Sequence, residues 1–230
     1  MKITSSMDLI EAMRQRKSTR AFTSEPVPRD VIKEILGNAC WAPSAMNTQP
    51  WEFVVVSSEK LNELKAATVE KFKSGAAMQP DSPVSGWPNE SVYKARQVAL
   101  AKGLFRSMNI PWRDKEKRDW WLDRGFRFFD APVAVIIITD NALSKTGPLL
   151  SIGAVMQNIC LAALQWGLGT CIEYQGILFP EVVRAHTGIP LSKRIIIAIA
   201  MGYPDPDFPA NSIRSEREPA ENLTTWVGFE

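Results

Sequence analysis

Residues 148–166 read PLLSIGAVMQNICLAALQW, a stretch that is apolar on nearly every side when it is wound as a helix. Such a helix is typical of a packed core or of an oligomer interface. Its unbroken apolar runs are too short to cross a bilayer, which needs about 20 residues, so we expect no membrane partner. Gly167 and Gly169 follow and end the helix. The stretch therefore predicts a central buried helix.

Short apolar strands and amphipathic helices flank this helix. Apolar and β-branched runs predict strands at 51–56, 133–139, 170–173 and 194–201. Helical spacing of apolar residues predicts helices at 7–15, 28–40, 59–73, 92–108, 115–129 and 180–186. The second of the predicted strands, 133–139, is almost wholly apolar, so both faces of its sheet should be covered. No repeat or linker divides the chain, which favours one α+β domain over residues 1–230.

Composition excludes several classes of protein. The 230 residues are 45% hydrophobic and 23% charged, as in ordinary globular domains, and 27 Lys+Arg against 25 Asp+Glu leave a net charge of +2. No overall field would attract nucleic acid. One histidine, His186, and three widely spaced cysteines exclude a zinc set or a disulfide framework. We expect the cysteines to be buried small apolar residues, His186 to end a helix, and the protein to be cytoplasmic, because no signal peptide is evident.

Two regions lack a regular pattern. Residues 74–91 are rich in Gly, Pro and Ser, and loops of this length often serve as lids. Together with the two helices that follow, they predict a lid or insertion over 74–125. Residues 205–230 contain a Pro/Asn-rich loop, two arginines and an extended tail, without a helical pattern.

Aromatic and basic residues alternate around the second helix of the predicted lid. Helix packing with a solvated face is the favoured interpretation. The alternative is an aromatic cover over an open site, with an arginine for the carboxylate or nitro group of a substrate. The residues concerned are Trp112, Trp120, Trp121, Phe128, Arg113, Arg118 and Arg124, to which Tyr93 and Arg96 could be added.

A basic cluster lies near the N-terminus, where Arg14, Arg16, Lys17 and Arg20 place four cations in seven residues around Ser18. A solvated polar face is the ordinary explanation for such a cluster. The functional alternative is an anion site, because arginine binds phosphate through two parallel hydrogen bonds and a hydroxyl adds another.

The loop APSAMNTQPW, residues 42–51, is dense in side-chain amides and a hydroxyl: Ser44, Asn47 and Gln49 precede a buried strand. It could be a plain connection, since Pro, Ser and Asn form turns. Its polar groups also suit the recognition of a polar planar ring.

Taken in order, several blocks resemble the FMN-dependent nitroreductase family. Arg-Lys-Ser-x-Arg at 16–20 and the loop 42–51 come first. They are followed by FRFFDAPVAVIIITD at 126–140, GAVMQNICLAALQWGLGTC at 153–171, GYPDPD at 202–207, and NSIRSEREP at 211–219 before WVGF. The resemblance covers essentially the whole chain and is weakest over 74–124.

The resemblance implies a homodimeric α+β fold, with a central mixed or antiparallel sheet surrounded by helices. It also implies an FMN at each subunit interface and a C-terminal extension, 205–230, that wraps the partner. By matching position, Arg16, Lys17 and Ser18 would hold the phosphate and ribityl chain, and Arg20 would lie near the pyrimidine edge of the flavin. Pro43, Ser44, Ala45 and Asn47 match the loop lent by the other subunit, Ile172 and Glu173 match the segment near flavin N5, and Arg214 and Arg217 would complete the phosphate site.

The chemistry implied by this family belongs to the cofactor, so no side chain is predicted to be catalytic, although Arg20 and Glu173 would tune the flavin. NADH or NADPH would reduce FMN by hydride transfer, and a nitroaromatic, quinone or other electron-poor small molecule would then accept the electrons by a ping-pong mechanism. Two alternatives remain open. One is a reductive dehalogenase or flavin-fragmenting enzyme of the same superfamily, and the other is a non-catalytic flavin-binding protein.

Overall fold

The computed structural model describes residues 7–82, 84 and 86–229. Four strands form one sheet in the order β1-β2-β4-β3, and every neighbouring pair is antiparallel. The predicted strands are confirmed to within a residue at each end, and the sheet is the antiparallel one of the two predicted kinds. The strands are β1 (Glu52–Ser57), β2 (Val133–Asp140), β3 (Gly169–Glu173) and β4 (Lys193–Gly202).

Seven α-helices in the described residues pack around this sheet, close to the predicted positions. They are α1 (Leu9–Gln15), α2 (Arg29–Ala39), α3 (Ser58–Lys73), α4 (Val92–Ser107), α5 (Lys115–Phe126), α6 (Gly147–Leu164) and α7 (Pro180–Thr187).

The central strands β2 and β4 are buried almost throughout, so both faces of the sheet are covered as predicted. Successive side chains of a strand point to opposite faces. Val135 and Ile137 enter the core that includes residues of α2 and α6, whereas Ala134 and Ile136 enter the core that includes residues of α3 and α7. The two cores therefore lie on opposite sides of the sheet.

Helix α6 is the central helix that its sequence predicts. Although its unbroken apolar runs are short, the whole helix is long and apolar enough to cross a membrane by length and composition, and within the described residues it is the only such helix. Ile152, Val155 and Ile159 are buried in the core that it shares with α2. Leu150 near its start remains 88% exposed. Gly167 ends the segment in a left-handed conformation, with φ of 70°.

Helix α5 ends at Phe126 and not at 129, as the apolar spacing predicts. Phe128, Phe129 and Asp130 take φ values of 54°, 52° and 61°, which no α-helix accommodates. The two phenylalanines are buried in the core that includes residues of α3 and α7. Packing of these rings thus overrides the helical pattern.

The loop after α3 is attached to the sheet. Arg184 of α7 forms an ion pair with Asp81 at 2.7 Å, and the backbone N–H of Ile195 donates to the same carboxylate at 2.8 Å. Ser82 is buried. Asp81 therefore fixes this part of the predicted lid to α7 and to the start of β4.

Candidate functional site

The basic segment 16–20 lies along the edge strand β3. Ser18 forms a parallel bridge with Thr170, and the N–H of Thr19 donates to the Thr170 carbonyl at 2.9 Å. Gly169 permits this approach, since a Cβ there would lie 2.3 Å from Oγ1 of Thr19. The cations on either side of Ser18 are thereby held at one edge of the sheet.

A segment from the far end of the chain is docked on this cluster through Asn211. Its Oδ1 accepts from the N–H of Arg20 at 2.7 Å, and its Nδ2 donates to the Ala21 carbonyl at 2.8 Å. Lys17 Nζ donates to the Asn211 carbonyl. Asn211 is buried and was absent from the predicted site, although it begins the sequence block NSIRSEREP.

Arg214 joins the basic cluster and donates to the Arg14 carbonyl at 3.0 Å. Burial, and then the nearby charge of Arg214, lower the pKa of Lys17. Within the described residues, none of Arg16, Lys17, Arg20 and Arg214 forms an ion pair with a carboxylate. Cations gathered without counter-charges fit an anion such as a phosphate.

Arg217 is not brought into this cluster. In the described part of the chain its guanidinium donates only to Ser215 and Glu216, its immediate neighbours, and it is exposed. Of the two late arginines predicted for the phosphate site, Arg214 therefore lies at the cluster, whereas Arg217 forms hydrogen bonds with its neighbours in sequence.

The Arg20 guanidinium lies beside β3. It donates to the Ser18 carbonyl at 3.3 Å. Its charge also acts on the Cys171 thiol, where burial nevertheless raises the pKa to about 12. Arg20 therefore presents its charge next to the strand that carries Ile172 and Glu173.

Glu173 is a buried carboxyl at the end of β3. One oxygen, Oε2, accepts from the N–H of Gly176 at 2.9 Å, and the other, Oε1, has no hydrogen-bond partner. Burial raises the pKa of Glu173 to about 8. Gly176 allows the turn to pack closely, because a Cβ there would lie 2.4 Å from the buried Phe128 ring.

This buried carboxyl predicts a pH dependence of stability. Since the pKa of Glu173 is about 8 in the folded chain against an ordinary 4.5, the folded state holds a proton that the unfolded state releases between these values. The free energy of unfolding should therefore fall as the pH rises through this window, by up to about 1.4 kcal/mol per pH unit. Glu173→Gln keeps the acceptor for Gly176 and has no proton to lose. Urea unfolding at pH 5, 7 and 9 should show the native protein losing stability relative to this variant, and parallel profiles would contradict the assignment.

The loop predicted to come from the other subunit is exposed. Met46 and Asn47 have φ values of 49° and 59°. Ser44 Oγ accepts from the N–H of Gln49 at 3.0 Å, and Ala45 N–H donates to Ser151 of α6 at 3.5 Å. Within the part of the chain that the structure describes, no hydrogen bond or ion pair joins Pro43, Ser44, Ala45 or Asn47 to the basic cluster of the same chain. The loop is anchored on α6, and its other side faces outward.

The remaining candidates take structural roles. His186 lies near the end of α7, with Nδ1 2.9 Å from the Val182 carbonyl. Cys160 and Cys171 are buried as predicted, but Cys40 is exposed, because it follows the last buried residue of α2. No group of three His, Cys, Asp or Glu residues able to hold a metal occurs in the described residues.

Comparison with known proteins gives a consistent set of relatives. A family model described as the nitroreductase family matches residues 13–203. A nitrobenzene nitroreductase of Ectopseudomonas oleovorans is 31% identical over 218 residues, covering 94% of this chain and 96% of that protein. A 4-nitrobenzoate reductase of Pseudomonas putida is 30% identical over 230 residues, covering 99% and 98%. The solved structure of the FMN and NADPH-dependent nitroreductase NfnB from Sphigopyxis sp. strain HMH has a TM-score of 0.92 at 26% identity, covering 97% of this chain and 100% of that chain.

Proposed function

Because the chain belongs to the nitroreductase family, we propose that it is an FMN-dependent oxidoreductase that uses NADH or NADPH to reduce nitroaromatic, quinone or other electron-poor small molecules. The resemblance carried by the sequence blocks is confirmed at the level of the family. The observation that supports the cofactor is the cluster of cations without counter-charges at the edge of β3.

The residues present fit FMN. Lys17 and Arg214, with Arg16 and the Ser18 hydroxyl, would hold the phosphate and ribityl chain, since phosphate binding needs two or more hydrogen-bond-donating cations. Arg20 beside β3 would stabilise negative charge on the pyrimidine edge. When bound, FMN supplies the hydride chemistry, which explains why the site needs no catalytic triad or metal.

Glu173 and Ile172 would line the ring on the β3 side. Because burial holds the Glu173 carboxyl protonated near neutral pH, that side of the site carries no negative charge that would oppose electron uptake. Arg20, whose charge also acts on Cys171 of β3, would then supply the positive charge on this side. The chain thus provides an electrostatic environment that favours a more electron-rich cofactor.

One open site that serves donor and acceptor in turn predicts ping-pong kinetics. Initial rates measured at several NADPH and nitrobenzene concentrations should give parallel lines in a double-reciprocal plot, because the first product leaves before the acceptor binds. The same measurement with NADH ranks the two donors. Intersecting lines would overturn the shared-site mechanism while leaving cofactor binding intact.

We further propose a homodimer formed through an apolar face made by α1, the loop after α2 and the start of α6. Helix α1 contacts α6, and the loop is anchored on α6 through Ala45 and Ser151. Three large apolar side chains of this face are almost fully exposed: Trp41 at 88%, Met46 at 97% and Leu150 at 88%. Exposed apolar surface of this extent is typical of protein interfaces.

The proposed dimer predicts a change of mass on mutation. The native protein should sediment at twice the mass of one chain, and the double variant Met46→Asp/Leu150→Asp should sediment as a monomer with much weaker FMN binding, since the partner's loop would be lost. Leu191→Asp is the matched control, because Leu191 is 81% exposed but lies between α7 and β4. A native monomer that binds FMN tightly would refute the shared site.

The C-terminal extension 205–230 fits the same arrangement. Trp226, Val227 and Phe229 are 68%, 81% and 77% exposed, so the described end of the chain leaves apolar side chains uncovered. We propose that this tail packs on the partner subunit. Within its own chain the extension is attached to α4 by the ion pair of Arg96 with Glu218, at 2.6 Å. Residues 74–125 would then cover the site as an insertion in a single domain.

A further inference from the structure

We propose that Arg124 of α5 is a positioning residue that fixes Arg20 by holding its peptide carbonyl. The inference rests on the proposed function, which places the Arg20 guanidinium at the pyrimidine edge of the flavin. It also gives a definite role to a helix in the part of the chain where the family resemblance is weakest.

The backbone of Arg20 is held at both its carbonyl and its N–H. Arg124 Nη2 donates to the Arg20 carbonyl at 3.0 Å, and Asn211 Oδ1 accepts from the Arg20 N–H at 2.7 Å. The next carbonyl, of Ala21, accepts from Asn211 and from the N–H of Asp205. Among the described residues, Arg124 alone reaches the backbone of Arg20 from outside the N- and C-terminal segments, so it links α5 to the cluster.

Arg124 is itself constrained. Nη1 forms an ion pair with Asp130 at 2.9 Å. The guanidinium stacks over the rings of Trp120, at 5.4 Å, and Phe208, at 4.6 Å. Its side chain is buried, and Nε has no hydrogen-bond partner. A planar guanidinium held against two rings can direct its N–H groups at fixed partners, which a lysine ammonium cannot do.

Helix α5 also reaches the turn on the other side of the predicted ring. Gln175 Nε2 donates to the Leu122 carbonyl at 3.4 Å, and a Cβ on Gly125 would lie 2.0 Å from Gln175 Oε1. Gln175 follows Glu173 by two residues. Helix α5 therefore contacts both segments proposed to flank the flavin: Arg124 bonds to Arg20, and Leu122 bonds to Gln175.

The test compares Arg124→Lys with Arg127→Lys. Arg127 donates to the same carboxylate of Asp130, at 2.7 and 3.3 Å, but does not bond to Arg20, so it perturbs the shared ion pair alone. The first readout is amide hydrogen exchange of the peptide covering 16–22 in the protein freed of FMN. The second is the ratio of dissociation constants for oxidised and reduced FMN.

Arg124→Lys should speed exchange across 16–22 about tenfold, because the carbonyl contact that limits local opening is lost. It should also weaken the binding of reduced FMN relative to oxidised FMN about tenfold, the size of change expected when a charge moves away by a few ångströms. Arg127→Lys should match the native protein in both. If Arg124→Lys does not fold, Asp130→Asn keeps both arginines and should change both readouts in the same direction.

Exchange at 16–22 that stays native-like in folded Arg124→Lys would overturn the proposal, as would equal changes in both arginine variants. Failure of the proposed function is separate. A native protein that does not bind FMN would remove the second readout, and the exchange measurement would still decide whether Arg124 holds Arg20.

Discussion

Replacing Arg20 with methionine is expected to slow the reduction of bound FMN by NADPH about a hundredfold, the loss typical of removing one preorganised charge or donor from a developing anion. The guanidinium lies beside β3, next to Cys171, and the Glu173 carboxyl nearby is held protonated by burial. Methionine keeps most of the side-chain length, so the loss reports the charge.

Arg14→Met is the matched control for this experiment. Arg14 belongs to the same basic run, but its side chain is exposed. Arg214 donates to its backbone carbonyl, which the substitution keeps. Stopped-flow absorbance under anaerobic conditions should show native-like reduction in Arg14→Met and slow reduction in Arg20→Met. Equal rates in the two variants would show that Arg20 does not act on the flavin.

The double variant Lys17→Ala/Arg214→Ala is expected to weaken FMN binding about a hundredfold or more, since each hydrogen bond from a charged group contributes about 1.5–3 kcal/mol. The segment 211–214 brings both cations to the same cluster, since Lys17 donates to the Asn211 carbonyl and Arg214 donates to the Arg14 carbonyl. Burial, and then the charge of Arg214, lower the pKa of Lys17. Neither has a carboxylate partner in the described residues, so the positive charge of each is uncompensated and suits a phosphate.

Riboflavin, which lacks the phosphate, separates this effect from general damage. Lys17 also donates to the Asn211 carbonyl, and its loss could loosen that segment. Isothermal titration should therefore show weaker FMN binding with riboflavin affinity nearly unchanged. A similar loss for both ligands would mean that the cations shape the loop and do not bind the phosphate.

Most of the fold follows from local patterns. The apolar run 133–139 became a strand buried on both faces, and the stretch 148–166 became the central helix α6. These elements are decided by periodicity and burial, which the sequence expresses within a few residues. The loop 128–130 does not follow its pattern, because the positive φ of Phe128, Phe129 and Asp130 comes from packing of the rings against distant residues.

The candidate site also combines residues that local sequence reveals with residues that only tertiary contacts bring into place. The basic run 16–20 was visible in the sequence, and the structure brings Arg214 to it from nearly 200 residues away. Asn211 was not predicted, and Arg124 was predicted only as a packing or substrate-facing residue of the lid, because the roles of both depend on tertiary contacts with the backbone of Arg20. An amide and an arginine carry no local signal of which backbone group they will bind. Arg217 was predicted with Arg214, but its guanidinium is satisfied by its own neighbours.

The most direct test of the central claim is the absorbance spectrum of the purified protein, followed anaerobically after NADH or NADPH is added. We expect the two long-wavelength bands of an oxidised flavin, after addition of FMN if needed, and rapid bleaching by one or both donors. A flavin spectrum that neither donor bleaches would identify a flavin-binding protein without turnover. A protein that takes up no flavin after incubation with FMN would contradict the proposed function. The cations of 16–20 would then be explained as part of a solvated surface.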